Sequence, residues 1–221
     1  MTISASPAAQ DYLKGIWLLE EESAGDEPIT MGAVAERLDV SAASATNMLK
    51  KLAAIGLVDH EPYRGARLTD EGRRVALEVV RHHRLLETYL AQTLGVPWEE
   101  VHDEAEVLEH ALSESLEERI ATHLGDPTVD PHGHPIPSRN LEMPSRGDQR
   151  LWAQAIGRRL TVARVSDADS ESLRYLAGIG ITPGSAVLVT ARGPGAGPLF
   201  IEVEGEGHAL SKEMAESIWV S

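Results

Sequence analysis

The chain has 221 residues, of which 42% are hydrophobic and 25% charged, and its formal net charge is −15 at pH 7. This length allows two or three small modules, and the composition is that of a globular protein. No segment approaches the roughly 18 uninterrupted apolar residues of a membrane span, and the N-terminus lacks the pattern of a secretory signal. We therefore expect a cytoplasmic protein with no membrane contact.

Cysteine is absent, which excludes disulfides and zinc–thiolate sites and leaves His, Asp and Glu as the strong metal ligands. The net negative charge argues against indiscriminate binding to polyanions, because affinity for phosphate groups depends largely on Lys and Arg side chains. The charge is uneven. Residues 37–74 contain seven Lys/Arg and five Asp/Glu, a local charge of +2, whereas residues 75–221 contain 12 and 23, a local charge of −11. Only the first of these segments is suited to lie on DNA.

The N-terminal part of the chain is predicted to form three helices. Apolar residues at helical spacing predict the first helix over 11–22, and the segment 25–28 would end it. Two shorter helices follow, separated by a tight turn at 39–41. Ser41 is the expected N-cap of the second short helix, and Gly56 is its expected left-handed C-cap residue. This arrangement is typical of a helix-turn-helix.

The second short helix has small and hydrogen-bonding side chains on its outer face, which allow close approach to a DNA major groove. A basic β-hairpin follows, with its tip at Tyr63-Arg64-Gly65, and such a tip suits phosphate or minor-groove contact. An ordinary helical hairpin is the alternative. The predicted DNA-binding residues are Ser41, Ala42, Ala43, Ser44, Thr46, Asn47, Lys50, Arg64 and Arg67.

Three more helices are predicted before a proline-rich segment. Thr69 would cap a long helix over 70–94, a second helix would cover 98–112, and a third would run from 113 to 125. Residues 126–147 contain five prolines and no periodicity, so they are predicted to be a linker in which little packs. The two histidines of this linker, His132 and His134, are interpreted as exposed imidazoles, with metal binding as the alternative.

After residue 147 the pattern changes to short β-rich runs separated by glycines. A small antiparallel barrel of about five strands is expected, with one helical turn at 171–175. The fold class is therefore mainly α with a β-rich C-terminal domain. The predicted domains are a winged helix-turn-helix over 1–74, a helical metal-binding domain with a Pro-rich linker over 75–147, and a small β-barrel over 148–221.

The segment HDEAEVLEH carries the clearest chemical signal. On one helix, His102, Glu106, Glu109 and His110 stand at i, i+4, i+7 and i+8 and share one side. No Lys or Arg lies between positions 101 and 116 to pair with these carboxylates. Since closely spaced carboxylates repel each other, a bound cation is the favoured interpretation, and an exposed acidic face is the alternative.

The long helix before this segment offers a weaker signal. His83 and Glu87 stand at i, i+4 and could face the acidic segment in an antiparallel packing, although such a pair is more often on the surface. His82 points about 100° away and is predicted to be a surface residue. Asp11, judged by its position alone, is an N-terminal charge that favours the helix dipole.

Together these segments resemble the diphtheria toxin repressor family of metal-dependent regulators over essentially the whole chain. The matching motifs are DYLKGIWLLEEE, the helix-turn-helix with its YRG wing, HRLLETYL, VHDEAEVLEH and PHGHPIP. The resemblance implies a winged helix-turn-helix, a helical dimerisation domain and an SH3-like (FeoA-like) C-terminal domain. It further implies a homodimer that binds operator double-stranded DNA and represses transcription.

The resemblance also implies two metal sites per subunit. By position, Asp11, Glu106, Glu109 and His110 correspond to the primary site, and His83, Glu87 and His102 correspond to the ancillary site. Iron-responsive members have Met and Cys where this chain has Asp and Glu, and hard oxygen ligands suit manganese. The prediction is a Mn²⁺-activated repressor of metal-ion homeostasis genes, similar to the manganese transport regulator branch. The alternatives are Fe²⁺, Co²⁺ or another divalent ion, and an Fe²⁺-responsive regulator of the same family.

Lys14 departs from the short manganese regulators, which have an acidic residue one helical turn after the first Asp. An ammonium group at this position would discourage a second cation beside the first. The second metal is therefore expected some distance away, at the ancillary residues. An acidic residue of the barrel would complete that site, with Asp169 as the best match and Glu171 as the next.

The expected switch is electrostatic. Without metal, Asp11, Glu106 and Glu109 would bring up to three negative charges together and push the first helix away, and a divalent cation would reverse this. A carboxylate-bridged metallohydrolase is a competing interpretation, but no nucleophile, free general base or substrate pocket is identifiable. We therefore expect no enzyme and no small-molecule substrate. A metal-independent winged-helix regulator with an acidic dimer interface stays open.

Overall fold

The computed structural model describes residues 5–23, 27–61, 64–195 and 197–221. The chain divides into two compact units. The first unit consists of Met1–His82, Glu109–Ala111 and Pro137–Glu142, and the second of His83–Leu108, Leu112–Ile136 and Met143–Ser221. Every helix among the described residues is too short or too polar to serve as a membrane span.

The first unit is a winged helix-turn-helix. It contains α1 (Pro7–Glu22), α2 (Met31–Arg37), α3 (Ala42–Ala54), and the antiparallel strands β1 (Val58–Glu61) and β2 (Gly65–Leu68). Helix α1 begins four residues earlier than predicted, and Pro7 opens it where a missing N–H has no cost. The core of the unit lies between these helices, with Leu13, Ile16, Leu49 and Leu52 fully buried.

Local signals fix the turn between α2 and α3 as predicted. Asp39 takes a left-handed conformation with φ of 48°, which Asp tolerates better than most residues. Ser41 caps α3 by accepting a hydrogen bond from the Ser44 amide at 3.1 Å. Gly56 follows α3 with φ of 75°, so the C-cap prediction is also confirmed.

The hairpin is tied to the preceding loop and to the next helix. Ile29 pairs with Ala66 through two backbone hydrogen bonds of 2.8 and 2.9 Å. Thr69 then caps α4 (Asp70–Tyr89) by accepting from the Gly72 amide at 3.1 Å. Tyr63, the predicted tip residue, lies outside the described residues.

The second unit begins with the end of α4, which continues as a π-helical turn over Leu90–Leu94. The predicted helix over 70–94 is therefore confirmed. Helix α5 (Val101–Leu108) is shorter than predicted at both ends, and α6 (Glu114–His123) has the predicted Ser113 cap. Their shared apolar core comprises Leu85, Leu86, Ala105, Ile120, Ala121 and Ile136.

Residues 126–136 are not the loosely packed linker that the sequence predicts. Asp130 Oδ1 accepts hydrogen bonds at 2.9 Å from the amides of both His132 and His134, and both imidazoles are buried. Gly133 has φ of 87°, and a Cβ there would lie 2.2 Å from the Ala163 carbonyl oxygen. The prediction of exposed imidazoles was wrong, because a side-chain-bonded turn, which has no periodicity, packs this loop against the C-terminal strands.

The C-terminal part of the second unit is a six-stranded antiparallel sheet in the order β3-β8-β4-β5-β6-β7. It encloses an apolar core that includes Leu160, Leu173, Ile181, Val189 and Ile218. The β-rich C-terminal domain is thus confirmed, with six strands instead of about five and with a helix longer than the predicted turn at 171–175. The elements are β3 (Gln149–Arg150), β4 (Arg159–Val165), α7 (Ser170–Gly178), β5 (Ala186–Arg192), β6 (Leu199–Val203), β7 (Glu206–Leu210), α8 (Lys212–Glu216) and β8 (Ile218–Val220).

Gly72 provides a test of how closely α4 approaches the hairpin. A Cβ at this position would lie 1.9 Å from the backbone oxygen of Leu57. Replacing Gly by Ala within a helix ordinarily stabilises by about 1 kcal/mol. Here the clash with a backbone atom outweighs that gain, since overpacking costs about 1–3 kcal/mol and more when nothing can rotate away. We expect Gly72→Ala to lower the free energy of unfolding, measured in urea.

Gly178, the last residue of α7, is the matched control, because a Cβ there would meet no atom within 4 Å. Gly178→Ala should leave the free energy of unfolding unchanged or slightly raised. Equal results for the two variants would contradict the close approach.

Candidate metal centres and nucleic-acid interface

The first candidate metal centre lies in the first unit, between α1 and the turn Glu109–Ala111. His110 Nε2 is 2.7 Å from Asp11 Oδ1 and 3.5 Å from Glu109 Oε1. One ligand atom from each of these three residues lies within 4.8 Å of the other two. Glu109 is buried, and Asp11 and His110 are partly exposed. Two carboxylates and an imidazole therefore converge here.

These residues meet by a different route from the predicted one. Helix α5 ends at Leu108, so Glu109 and His110 do not share a helix face with His102 and Glu106. A side chain of α4 contacts this turn. His82 Nδ1 lies 3.2 Å from the Glu109 carbonyl oxygen. His82 is therefore buried, and its prediction as a surface residue was wrong.

Lys14 supplies the positive charge beside this centre. Its Nζ donates to Glu109 Oε2 at 2.7 Å, and both side chains are almost fully buried. The expected repulsion of α1 in the absence of metal is thus offset, because a protein ammonium group already neutralises one carboxylate. That this ammonium group discourages a second cation beside the first stays a prediction.

We predict that Lys14→Met lowers the free energy of unfolding of the chelator-treated protein by about 3–5 kcal/mol, because it removes the ammonium group that donates to the buried Glu109 carboxylate. Urea unfolding measures the change. Lys212→Met is the control, since the exposed Lys212–Glu216 pair is 3.5 Å long and contributes about 0.3–0.5 kcal/mol. Similar losses in the two variants would contradict the role of the buried pair.

The second candidate metal centre lies in the second unit. His83 Nε2 is 3.1 Å from Glu87 Oε1 and 3.1 Å from His102 Nδ1. His102 Nδ1 is also 3.4 Å from Glu87 Oε1 and 3.7 Å from Asp167 Oδ2. One ligand atom from each of these four residues lies within 4.8 Å of the others. The predicted trio thus comes together with a carboxylate from the C-terminal part of the chain.

That carboxylate belongs to Asp167, whereas the sequence pointed to Asp169 or Glu171. Asp169 instead caps α7 and accepts hydrogen bonds from the Glu171 and Ser172 amides at 3.3 and 3.0 Å. Glu171 is exposed in the first turn of that helix. The difference arises because capping uses the Asp169 carboxylate, while the loop before the helix turns Asp167 towards the histidines.

Glu106, predicted for the primary site, contacts residues of the second unit. Its Oε1 lies 3.8 Å from His102 Nε2 and 4.0 Å from His83 Nδ1. The i, i+4 relation of His102 and Glu106 on α5 is as the spacing predicts. Whether Glu106 also serves the first centre remains a prediction.

A third group of ligand types, which the sequence analysis placed in a linker, borders the second centre. Asp130, His132 and His134 are all buried and offer ligand atoms within 4.8 Å of one another. His134 Nδ1 is 3.5 Å from Asp130 Oδ2 and 3.6 Å from Asp167 Oδ2. His132 Nδ1 is 3.7 Å from Glu87 Oε1. In the sequence, an Asp followed by two histidines at alternate positions was the feature that could have indicated this group.

Several buried polar atoms of these groups have no hydrogen-bond partner. Among the described residues, Glu87 Oε2, Asp130 Oδ2, His132 Nδ1 and His134 Nδ1 are buried and make no hydrogen bond. Buried polar atoms are ordinarily paired, so each unpaired atom calls for an explanation. A divalent cation fits this donor set of carboxylate oxygens and imidazole nitrogens.

The ionisation of the groups suits a cation as well. Burial by itself raises the pKa of Glu87, but the charge of His83 and contacts with His102 and His132 outweigh it and hold the pKa well below its ordinary value. Burial likewise raises the pKa of Asp167, yet the surrounding histidines lower it to about 2. Both carboxylates are therefore negatively charged at neutral pH.

His132 has the opposite shift. Burial alone lowers the pKa of its imidazole, but the interaction with Glu87 and the charges of Asp130 and Asp167 outweigh burial and raise it to about 9. Its Nε2 lies 2.7 Å from the Trp98 carbonyl oxygen, to which it donates, so Nδ1 is the atom left for a ligand role. At neutral pH that atom carries a proton that a bound cation must displace.

We predict that binding of Mn²⁺ at this group releases about one proton from His132 at pH 7.5, and that affinity rises by up to about tenfold per pH unit below pH 9. The stability of the metal-free chain depends on pH in the opposite sense. The raised pKa of His132 stabilises the fold fully below about pH 6.5, and this contribution is lost as the pH rises through 9. Calorimetry in two buffers of different ionisation enthalpy counts the protons. His132→Asn should release one fewer proton, and His208→Asn should match the wild type. Binding without proton release would contradict the assignment.

The candidate nucleic-acid interface is the outer side of α3. Ser41, Ala42, Ala43, Ser44, Asn47 and Lys50 are exposed, as predicted, and Thr46 is half-buried. The Thr46 hydroxyl donates to the Ala42 carbonyl at 2.7 Å, so it is bonded within its own helix. Arg64 and Arg67 are exposed on the hairpin. Most of the predicted DNA-contacting side chains of α3 and the hairpin are therefore accessible.

Helix α1 connects the first centre to this reading head. At the opposite end from Asp11, Glu20 accepts from the Leu68 amide of β2 at 3.0 Å and from Arg73 of α4 at 2.6 Å. Glu22 accepts from Arg37 of α2 at 2.8 Å. These contacts join the helix that contributes Asp11 to the wing and to the helix-turn-helix.

Sequence comparisons divide the chain among three known domain types. Residues 5–66 match the N-terminal DNA-binding domain of iron-dependent repressors, and residues 69–138 match their metal-binding and dimerisation domain. Residues 153–221 match the FeoA domain.

Whole-chain relatives agree. The iron-dependent repressor IdeR of Mycobacterium tuberculosis is 34% identical over 224 residues, covering 95% of this chain and 94% of the relative. A solved manganese-dependent transcriptional repressor in complex with manganese is 48% identical, with a TM-score of 0.90, covering 96% of this chain and 98% of that chain. The manganese regulator SloR is 32% identical, with a TM-score of 0.81 and coverage of 98% and 99%. These relatives are regulators and repressors, which excludes the metallohydrolase alternative.

Proposed function

Since the chain belongs to the diphtheria toxin repressor family and is a metal-dependent DNA-binding transcriptional repressor, we propose that Mn²⁺ is its activating metal and that it controls metal-ion homeostasis genes. The observation that carries the choice of metal is the first centre, where Asp11, Glu109 and His110 converge. Hard oxygen ligands suit Mn²⁺, whereas sulfur ligands suit softer metals.

The chain is similar both to a repressor named for iron and to regulators named for manganese. The donor set argues for manganese because carboxylates outnumber imidazoles at the first centre, and the chain has no cysteine. Fe²⁺ and Co²⁺ accept similar nitrogen and oxygen ligands and are the competing ions. Cellular supply as well as affinity decides which ion is bound.

We assign two regions of metal binding to each subunit. Asp11, Glu109 and His110 hold the first cation, with Glu106 as a further predicted ligand. The second region contains His83, Glu87, His102 and Asp167, and the group of Asp130, His132 and His134 borders it. Its buried, unpaired atoms support a cation there, and Asp167 takes the place that the sequence analysis gave to Asp169 or Glu171.

The proposed link between metal and DNA runs through α1. A bound cation would supply positive charge that strengthens the attraction between Asp11 and the Glu109–His110 turn. Through Glu20 and Glu22, the same helix contacts the wing and α2, so fixing its first turn restricts the reading head. Metal binding therefore needs only to increase the fraction of molecules in which α1 contacts the Glu109–His110 turn. A coupling free energy of about 1–3 kcal/mol per site between metal and DNA binding is typical.

A homodimer is proposed to present two reading heads to two operator half-sites. In the second unit, α5 and α6 leave apolar side chains exposed: Val107 is 75% exposed, Leu116 49% and Leu108 40%. Large exposed apolar groups on neighbouring helices mark an interaction surface. The matched dimerisation domain includes all three residues.

Operator binding tests the proposal. We expect Mn²⁺ to increase the affinity of chelator-treated protein for a palindromic operator by about 5- to 150-fold, as measured by fluorescence anisotropy. His110→Ala and Glu109→Ala should lose this increase, because each removes a ligand of the first centre. His208→Ala is the control, since His208 lies on β7 outside both centres. Unchanged Mn²⁺ dependence in His110→Ala would overturn the assignment.

The same titration with Mn²⁺, Fe²⁺, Co²⁺ and Zn²⁺ tests the choice of metal. Asp11→Met places sulfur in the first centre and should shift the preference from Mn²⁺ towards the softer ions. If the metal-free protein bound the operator as tightly as the loaded form, the metal-independent alternative would replace the proposal.

A further inference from the structure

Gln10 makes a contact that neither the motifs nor the spacing of ligand types suggested. It precedes Asp11 on α1, and its Oε1 lies 2.8 Å from His110 Nδ1. The opposite ring nitrogen, His110 Nε2, faces Asp11 Oδ1 at 2.7 Å and Glu109 Oε1 at 3.5 Å. Gln10 thus contacts Nδ1 of the imidazole, and Nε2 on the opposite edge faces the two carboxylates.

The chemistry of imidazole makes this contact informative. In a neutral ring one nitrogen carries a proton and the other a lone pair, and the partner of the first decides which tautomer forms. For His110 to bind a cation together with the two carboxylates, Nε2 must carry the lone pair. Nδ1 must then carry the proton, which requires an acceptor. Among the described contacts of Nδ1, the Gln10 carboxamide oxygen provides it.

We propose that Gln10 is a positioning residue of the first metal centre, where it fixes the tautomer and the orientation of His110. The inference rests on the proposed role of His110 as a ligand. Outer partners of ligating histidines raise their basicity and hold the ring in place, and their loss typically weakens metal binding by about 10- to 100-fold.

The amide also suits the charge of this centre. Asp11 and Glu109 contribute two negative charges, and Lys14 offsets one of them. A carboxylate at position 10 would orient His110 equally well and add a negative charge, which attracts a cation. A neutral acceptor orients the ring without that extra charge. Gln10→Glu should therefore preserve Mn²⁺ binding, whereas Gln10→Leu, similar in size but without an acceptor, should weaken it.

The first experiment measures the Mn²⁺ dissociation constant of the full chain by electron paramagnetic resonance of free Mn²⁺. The background is Glu87→Gln/His102→Ala, which removes ligands of the second centre. We expect Gln10→Leu to bind about 10- to 100-fold more weakly than the background and Gln10→Glu to bind at least as tightly. Gln92→Leu, at an exposed position outside the centre, should have no effect.

The second experiment reads the tautomer directly. In the Cd²⁺-loaded, ¹⁵N-labelled protein, two-bond ¹H–¹⁵N correlations should show His110 protonated at Nδ1 and coordinated through Nε2. In Gln10→Leu this pattern should weaken or become mixed, and Gln10→Glu should restore it. A purely structural role of Gln10 would alter stability without this selective change.

The outcomes separate the inference from the function on which it rests. If the background protein binds Mn²⁺ and Gln10→Leu binds it equally well with the same His110 tautomer, the positioning role is wrong. The same holds if Gln10→Glu fails to restore binding in a folded protein. If the background protein binds no Mn²⁺ at this centre, and His110→Ala changes nothing, the proposed first centre itself is wrong.

Discussion

A buried ion pair 2.7 Å long joins Lys14 of α1 to Glu109, in the turn that follows α5. Two charges removed from water are costly unless they face each other, so this contact requires the helix and the turn to meet. Once they meet, His110 is brought to Asp11, and the ligands of the first centre share one small volume. The same pairing places the Lys14 ammonium group beside the grouped ligand atoms of Asp11, Glu109 and His110. The first centre is thus organised by protein charges, and the role proposed for a metal is to strengthen an association that already has its geometry.

At the second centre, a loop and the C-terminal domain add ligand-type residues to those of two helices. His83, Glu87 and His102 come from α4 and α5, Asp167 comes from the segment before α7, and Asp130 holds His132 and His134 in a tight turn. Negative carboxylates lie among imidazoles, some of whose buried nitrogens have no hydrogen bond. This arrangement brings opposite charges together around a partly buried site. It also gives the C-terminal domain a direct part in the centre through one carboxylate.

Helix α1 connects chemistry to recognition within the first unit. Its first turns carry Gln10, Asp11 and Lys14, while Glu20 and Glu22 near its end contact the hairpin, α4 and α2. A rigid helix transmits a constraint at one end to the contacts at the other. The reading surface on α3 therefore belongs to the same packed body as the first centre. Under the proposed mechanism, this continuity would allow a few ligand contacts to influence a surface that touches none of them.

The sequence by itself determined the features that depend on neighbours along the chain. The caps Ser41, Thr69 and Ser113, the exposed side of α3, and the i, i+4 pairs of α4 and α5 all follow from local spacing, and the resemblance named the family. Only the tertiary structure decided the contacts that join distant segments. Lys14 and Glu109 are 95 residues apart, and Gln10 and His110 are 100 apart. Asp167, and not Asp169, lies at the second centre because the Asp169 carboxylate caps α7. The buried His132 and His134 lie in a loop without periodicity, so the sequence did not indicate their burial. Spacing along a helix determines the side-chain directions over a few turns. Whether two distant segments meet depends on the pairing of their buried charges and the packing of their apolar faces.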